Sequence, residues 1–437
     1  MSFPTSAMNE LIVVLVLVFI TLFGVAFLYL FQFLSDLNFW EKIPYGFGLG
    51  CGLLAIYMFV LGRIGHWQYP VIITPLLLSI ILAIFLRFNQ IKQDVIWRFS
   101  LDPWDKMLLA LIFLQVAYTG FEAWLRPLSA WDGWAIWLLK AKMFYQDGFV
   151  NPEIYHLTIS QYPYVVNLIG TFIYQTLGVV DDRAVLLFFF FVYLMLGLSF
   201  FSFIKSKFSI TRSILFTFLL LSLQNIIRHG GRFEAGYADL TLGFYLFLGF
   251  TLLQRYLTHS KISTLIPLSL LMGISSLVKE EGFVFTAICQ IIIFYHSIFR
   301  HKNFNHFLIS LIWLLPYIDW QIFKSLNSIY INPYSGGMLD LARFSQIVIL
   351  MGKELAKIQN WNFLWPIFFL ALIFNKKNLK PDAKLALLLL SLQFASYLAI
   401  FLITPIPIQV QVPNSFDRLL LHLAPLALYT IAASAKK

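Results

Sequence analysis

From Leu11 to Leu34 the chain runs without one charged side chain. That stretch is long enough to cross a bilayer, which takes about 20 residues at a rise of 1.5 Å each. Comparable runs recur to the C-terminus. Of the 437 residues, 60% are hydrophobic and 12% charged, against roughly 25% charged in an ordinary soluble domain. Even a large soluble fold leaves about a quarter of its unfolded surface exposed, so water cannot be the solvent for most of this chain. A soluble enzyme, a disordered scaffold and a nucleic-acid-binding domain are excluded together. The opening MSFPTSAMNE has no Lys or Arg and does not read as a signal peptide. Cys51 and Cys289 sit in apolar runs with no CxxC or Cys/His cluster, which gives neither a disulfide framework nor a zinc site.

The apolar runs predict an all-α polytopic membrane protein with about thirteen spans: 11–34, 43–62, 69–86, 107–125, 184–204, 211–227, 240–254, 263–278, 283–299, 306–323, 361–375, 384–404 and 419–434. With the N-terminus outside, 18 of the 31 basic residues fall on inner loops and 15 of the 21 acidic residues on outer ones. The inner side then carries +12 and the outer side −2, which fits the positive-inside rule. The bookkeeping requires that 163–180, although apolar, does not cross. It is expected to lie along or dip into the outer surface.

The first large outer segment, 126–183, is where polar chemistry is expected. Residues 133–145 predict an amphipathic helix with Trp134 and Trp137, preceded by Trp131. Such a helix favours the headgroup level, with Lys140 and Lys142 reaching lipid phosphates. Asp132, at its start, reads either as an N-cap or as a general base at the membrane surface. Asp239, inside a span, is costly to insert, about 2.5–3.5 kcal/mol for an ionised group. Asp319 raises the same question. Lys279 can snorkel, Arg228 and Arg232 can contact headgroups, and Glu280 and Glu281 suit a helix N-terminus. His422 reads first as a helix–helix contact, and Asp181 and Asp182 as a solvated helix start.

The order of these features resembles the GT-C class of integral-membrane glycosyltransferases, which includes the protein O-mannosyltransferases and the lipid A aminoarabinose transferase. The resemblance covers about residues 107–434, with 1–106 standing as an added N-terminal transmembrane block. It is carried by the outer loop WDGW (131–134), the entry Tyr162-Pro163, and a surface helix ending at Leu177-Gly178. It continues through RHGGRFEAGYADLTLGF (228–244), SSLVKEEGF (275–283) and NSFDRLLLHLAPLAL (414–428). No second acid follows Asp132, and Leu419 stands where the class has tyrosine.

The resemblance implies an enzyme of a bacterial inner (cell) membrane, with its active site facing outside. Its donor is a polyprenyl-phosphate sugar and its acceptor a lipid, glycan or protein, with membrane lipids around it and no nucleic acid. In those terms Asp132 is the base and Asp239 orients the acceptor or the clamp. Lys279 with Arg228, Arg232 or Arg418 is the phosphate clamp; Glu234 is the understudy to Asp239, and Tyr162 is a binding residue. The single base implies inversion. No cofactor is implied; a divalent metal is compatible but nothing in the sequence calls for one. Tyr155, Tyr162, Tyr164, Tyr330 and Tyr334 can stack on sugar or anchor at the interface. Loop 324–360, with NPYSGG at 332–337, is either a mobile cover or a plain connection. Two other classes stay open: a transporter or lipid flippase, and a non-catalytic assembly partner.

Overall fold

The computed structural model describes residues 3–65, 67–94, 100–159, 162–329, 337–375 and 379–434. Tyr330, Tyr334, residues 332–336 of the NPYSGG stretch, and Arg98, Lys376, Lys377, Lys436 and Lys437 lie outside the described residues. Within them the chain is helical, with no strand. A backbone in lipid has no water to satisfy its N–H and C=O groups, and a helix satisfies them within one segment.

Among the described residues, ten helices are long and apolar enough to cross a membrane, eleven if one bent pair counts as a span. The expected count of about thirteen is therefore not reached, and the three departures have local causes. Residues 211–227 form Ile210–Leu221 and Gln224–Gly231, bent by 68°. Ser222 Oγ bonds back to Phe218 O at 2.7 Å and Leu223 leaves the helical backbone (ψ 122°), a pairing that bends helices. Residues 361–375 shorten to Leu364–Asn375, because Asn362 takes a left-handed φ of 50°. Ile262–Ser276 has 15 residues, about 22 Å, short of a hydrocarbon core of about 30 Å.

Helices Asp239–His259 and Ile408–Ser434 form the centre: 83% of each apolar window is buried, against 17% for Tyr69–Gln93 and Pro103–Leu125 on the rim. The first two helices share the main apolar core with the rest of the chain. They cross tightly, since a Cβ on Gly50 would lie 2.1 Å from Ile20 O, the small-residue contact favoured between membrane helices.

Two expectations about the segment 126–183 are overturned. Val165–Leu177 does not lie against lipid: Val165 to Tyr174 are all buried, packed on Leu138–Asp147 and Phe39–Ile64. The predicted flat helix is a π-turn, Gly133–Trp137, followed by Leu138–Asp147, and its lysines do not reach headgroups. Lys140 is fully buried and donates to Ile159 O at 2.6 Å. Lys142 pairs with Asp182 at 2.6 Å. Tyr155 and Tyr164 are also buried, in an aromatic cluster with Phe59 and Trp320, so sugar stacking by them is ruled out.

Ion pairs and hydrogen bonds between loops sort the helix ends into two faces. On one, Arg255 pairs with Asp36 and Lys207 with Asp382 (3.5 Å). On the other, Asn9 bonds Asp181 (2.9 Å), Arg63 pairs with Asp319 (2.9 Å), and His156 meets Asn327 O (3.2 Å). Asp319 is thereby assigned to a surface ion pair, and Asp181 caps its helix at Ala184 N.

Cysteines at Glu153 and Thr258, each introduced alone after replacement of Cys51 and Cys289, should react with a membrane-impermeant maleimide from opposite sides of sealed vesicles. Labelling of both from one side contradicts this division of faces.

Candidate active site

The site forms where four separate segments meet at the second face. Asp132 sits in the first helical turn after Trp131, with helical φ −60° and ψ −31° and no side-chain capping bond. The cap reading is thus removed, and its carboxylate points elsewhere. Gly133 and Gly236 lie back to back: a Cβ on either would come within 3.3 Å of the other's Cα, and Gly236 has a φ of +113°. These glycines let the Asp132 turn press against the loop that leads to Asp239.

Asp239 opens the central helix Asp239–His259 and is 1% exposed. Lys279 lies in extended backbone between Ile262–Ser276 and Glu280–Tyr295, makes no side-chain cap, and reaches Asp239 Oδ1 at 2.7 Å. Arg418 and His422 are four residues apart on Ile408–Ser434, so they share one helix face. Arg418 Nη1 donates to Asp132 Oδ2 at 2.5 Å and lies 3.9 Å from Asp239 Oδ2. His422 Nε2 lies 3.3 Å from Asp239 Oδ1, and its Nδ1 faces Tyr397 Oη at 2.9 Å. Glu281 Oε1 is 3.3 Å from Lys279 Nζ. The result is one continuous chain of charge: Asp132, Arg418, Asp239, Lys279, Glu281.

Burial opposes the charge on Lys279, but Asp239 and Glu281 outweigh it and hold its amine well above the ordinary lysine range. Burial raises the Tyr162 phenol. That ring stacks on Trp137 (4.9 Å between centroids) and carries Lys279 5.6 Å from its centre. Arg418 lies 5.1 Å from the Tyr237 ring centre.

A cavity of about 280 Å³ opens on this chain. Asp239, Lys279, Glu281, Arg418 and Tyr162 line it together with the apolar Ile400, Phe401, Ile406 and Val410 and the polar Gln411, Asn414 and Ser415; Asp132, paired with Arg418, is not among the lining residues. Ile406 and Val410 are exposed, so the apolar wall reaches the outside of the bundle.

Not every candidate gathers here. Arg228 pairs with Glu234 and donates to Asn360 Oδ1 at 3.2 Å. Arg232 lies 3.8 Å from Glu122, which also pairs with Arg126. These three candidates form a neighbouring cluster in which Arg126, Arg228 and Arg232 face Glu122 and Glu234. None of them makes a hydrogen bond or ion pair to Asp132, Asp239, Lys279 or Arg418 among the described residues, so Arg228 and Arg232 are not part of the cationic wall. Sequence reasoning missed three members of the site. His422 reads first as a packing contact and Glu281 as a helix-end charge, and Tyr397 carries no signal of its own in the sequence. The four-residue spacing of Arg418 and His422 was the available signal. Among the described residues, no three His, Cys, Asp or Glu side chains gather as ligands for a metal ion.

Removing one partner of a buried ion pair typically costs about 3–5 kcal/mol, because the other charge is left unpaired. Asp239→Ala should therefore lower thermal stability in detergent by about that much, and adding Lys279→Met should restore a large part. Equal destabilisation by single and double variants contradicts the pairing.

Lys140 gives a second check. Burial lowers its amine to about 7, against about 10.4 in an unfolded chain. The unfolded state then binds more protons between pH 7 and 10, and stability from this site rises with pH across that window. The melting-temperature difference, Lys140→Met minus parent, should fall as pH rises from 7 to 10. A difference that does not change with pH contradicts it.

No family model matches the chain, and no curated protein or solved structure matches it.

Proposed function

We propose that this chain is a membrane glycosyltransferase of GT-C character, transferring a sugar from a polyprenyl-phosphate donor to an acceptor at the outer face, with inversion. The observation that carries the reading is the run of alternating carboxylates and cations, of which Asp239, Lys279 and Arg418 line a cavity together with the exposed apolar side chains of Ile406 and Val410.

Glycosyl transfer from a lipid phosphate needs cations where the departing phosphate gains charge, a carboxylate to take the acceptor's proton, and room for a long apolar chain. Lys279 and Arg418 supply the cations, and the wall of Ile406 and Val410 suits the donor's chain. Asp132 is the general base. Its side chain is 15% exposed against 1% for Asp239, and Arg418 is its ion-pair partner. A donor phosphate that draws Arg418 toward itself frees Asp132 for the acceptor. Asp239, held by Lys279, His422 and Arg418, positions the cations.

The acceptor oxygen attacks the anomeric carbon and its proton passes to Asp132. The bond from that carbon to the phosphate oxygen breaks, and its electron pair stays on the lipid phosphate, against Lys279 and Arg418. The outer assignment of this face rests on the charge balance of the loops. Asp132, Asp239, Lys279 and Glu281 come from helix starts or the residue before one, and Arg418 reaches them from within Ile408–Ser434.

Membranes carrying the chain, incubated with labelled polyprenyl-phosphate sugars, should transfer label to endogenous acceptors. Asp132→Asn should lower the rate by about 10²–10⁴-fold, and Lys279→Met should abolish transfer. Full activity in the Asp132 variant removes the base assignment. No label transferred from any donor removes the proposal.

A further inference from the structure

A second cavity, of about 360 Å³, lies beside the charged one, and its size is that of a small-molecule site. Two side chains of opposite charge line it: Glu280, at the start of Glu280–Tyr295, and Lys324, near the end of Leu314–Leu326. They form no ion pair with each other, and neither side chain makes a hydrogen bond or ion pair elsewhere among the described residues. Glu280 is exposed and Lys324 half-buried. The other acid on this wall, Glu281, is already held 3.3 Å from Lys279. Where the charged cavity joins its acids and cations to one another, this one leaves one of each open.

An open carboxylate and an open ammonium on one cavity complement a zwitterion, since charge-assisted hydrogen bonds are the strong ones. The rings narrow the choice. A quaternary ammonium is held by an open aromatic cage, and here the rings are engaged with one another. Phe283 and Tyr317 stack with centroids 4.7 Å apart and planes 19° apart. Tyr162 stacks on Trp137 and carries Lys279. Trp320 is 1% exposed and carries Lys324 5.6 Å from its ring centre. A primary ammonium instead needs acceptors for its N–H groups, and Glu280 and Gln321 offer them. Lys324 suits a phosphate as a point charge. Exposed Ile318 and Ile322 each follow a lining residue by one position on Leu314–Leu326, so apolar side chains flank the charges on the outside of that helix.

We propose that this second cavity binds a phosphoethanolamine group, with its ammonium on Glu280 and its phosphate on Lys324. The flanking isoleucines make phosphatidylethanolamine of the surrounding membrane the fitting source. The site goes beyond the transferase reading: neither Glu280 nor Lys324 has a part in the proposed transfer.

The test is native mass spectrometry of the purified full chain in a polyoxyethylene detergent. It is titrated with phosphatidylethanolamine, phosphatidylcholine and phosphatidylglycerol of the same acyl chains. Phosphatidylethanolamine should bind about tenfold more tightly than either, the worth of one charge-assisted hydrogen bond. Glu280→Gln should bring its preference over phosphatidylcholine below about twofold and leave phosphatidylcholine binding at the parent level, because only the ammonium contact is lost. Lys324→Met should weaken both lipids by a similar factor, because the phosphate is common to them. Thr258→Ala, on the opposite face, should change neither. Glu280 is exposed, so its variant should fold, and a near-parent melting temperature confirms this. Free O-phosphoethanolamine at millimolar concentration separates the sources. Displacement of bound lipid shows that the headgroup alone fills the site, and no displacement shows that the acyl chains are needed; both support it. No preference for phosphatidylethanolamine, or a preference unchanged in both cavity variants, overturns the proposal. Sugar transfer by a chain without the lipid preference removes this site and keeps the transferase reading, and the preference without transfer does the reverse.

Discussion

The contact between Asp239 and Lys279 governs the rest. In a chain with so few charges, each buried one must find a partner or lose its charge. Asp239 sits at the start of one of the two most deeply buried spans, and its needs dictate what surrounds it. Lys279 is delivered by a break between two helices, and Arg418 and His422 by one face of a third. Asp132 is drawn in because Arg418 spans both carboxylates. Desolvation of these groups is offset only while all are present. The same network therefore serves as a structural lock and as the reactive centre of the proposed chemistry.

Much of the architecture was legible because lipid imposes a simple rule on backbone. Ten of the thirteen expected spans match helices long and apolar enough to cross. Lengths failed where local chemistry interrupts a run that hydropathy sees as continuous: the hydroxyl of Ser222, the left-handed Asn362, and the short helix before Ser276. Gly46 and Gly50 press against the first helix while Gly48 and Gly52 face Leu248 and Ile274, a division that their even spacing does not reveal. The surface helices were misread for a different reason. Tryptophans and lysines at helical spacing look amphipathic, and nothing in a single sequence says that Lys140 meets Ile159 O inside the protein.

For the site, the rarity of charge did most of the selecting. Asp132, Asp239, Lys279 and Arg418 were each chosen because an ionised group near a span end requires a reason, and the structure joins these four. The same criterion could not separate Arg228 and Arg232 from Arg418. All three are arginines at span ends, and only the fold shows that Glu234 and Glu122 already occupy the first two. Glu281 reads as a helix-dipole charge, a role its position still allows, but its Oε1 also lies 3.3 Å from Lys279 Nζ. Distant segments meeting in space is the information that spacing along one chain does not hold.

The most direct measurement is a cryo-electron microscopy map of the chain in a lipid nanodisc, at a resolution that shows side chains. The account predicts the Arg418 guanidinium between the Asp132 and Asp239 carboxylates, Lys279 against Asp239, and the cavity lined by Asp239, Lys279 and Arg418 open only on the face that carries residue 153. A map that separates Asp132 from Arg418, or shows the cavity continuous between both faces of the bilayer, contradicts it.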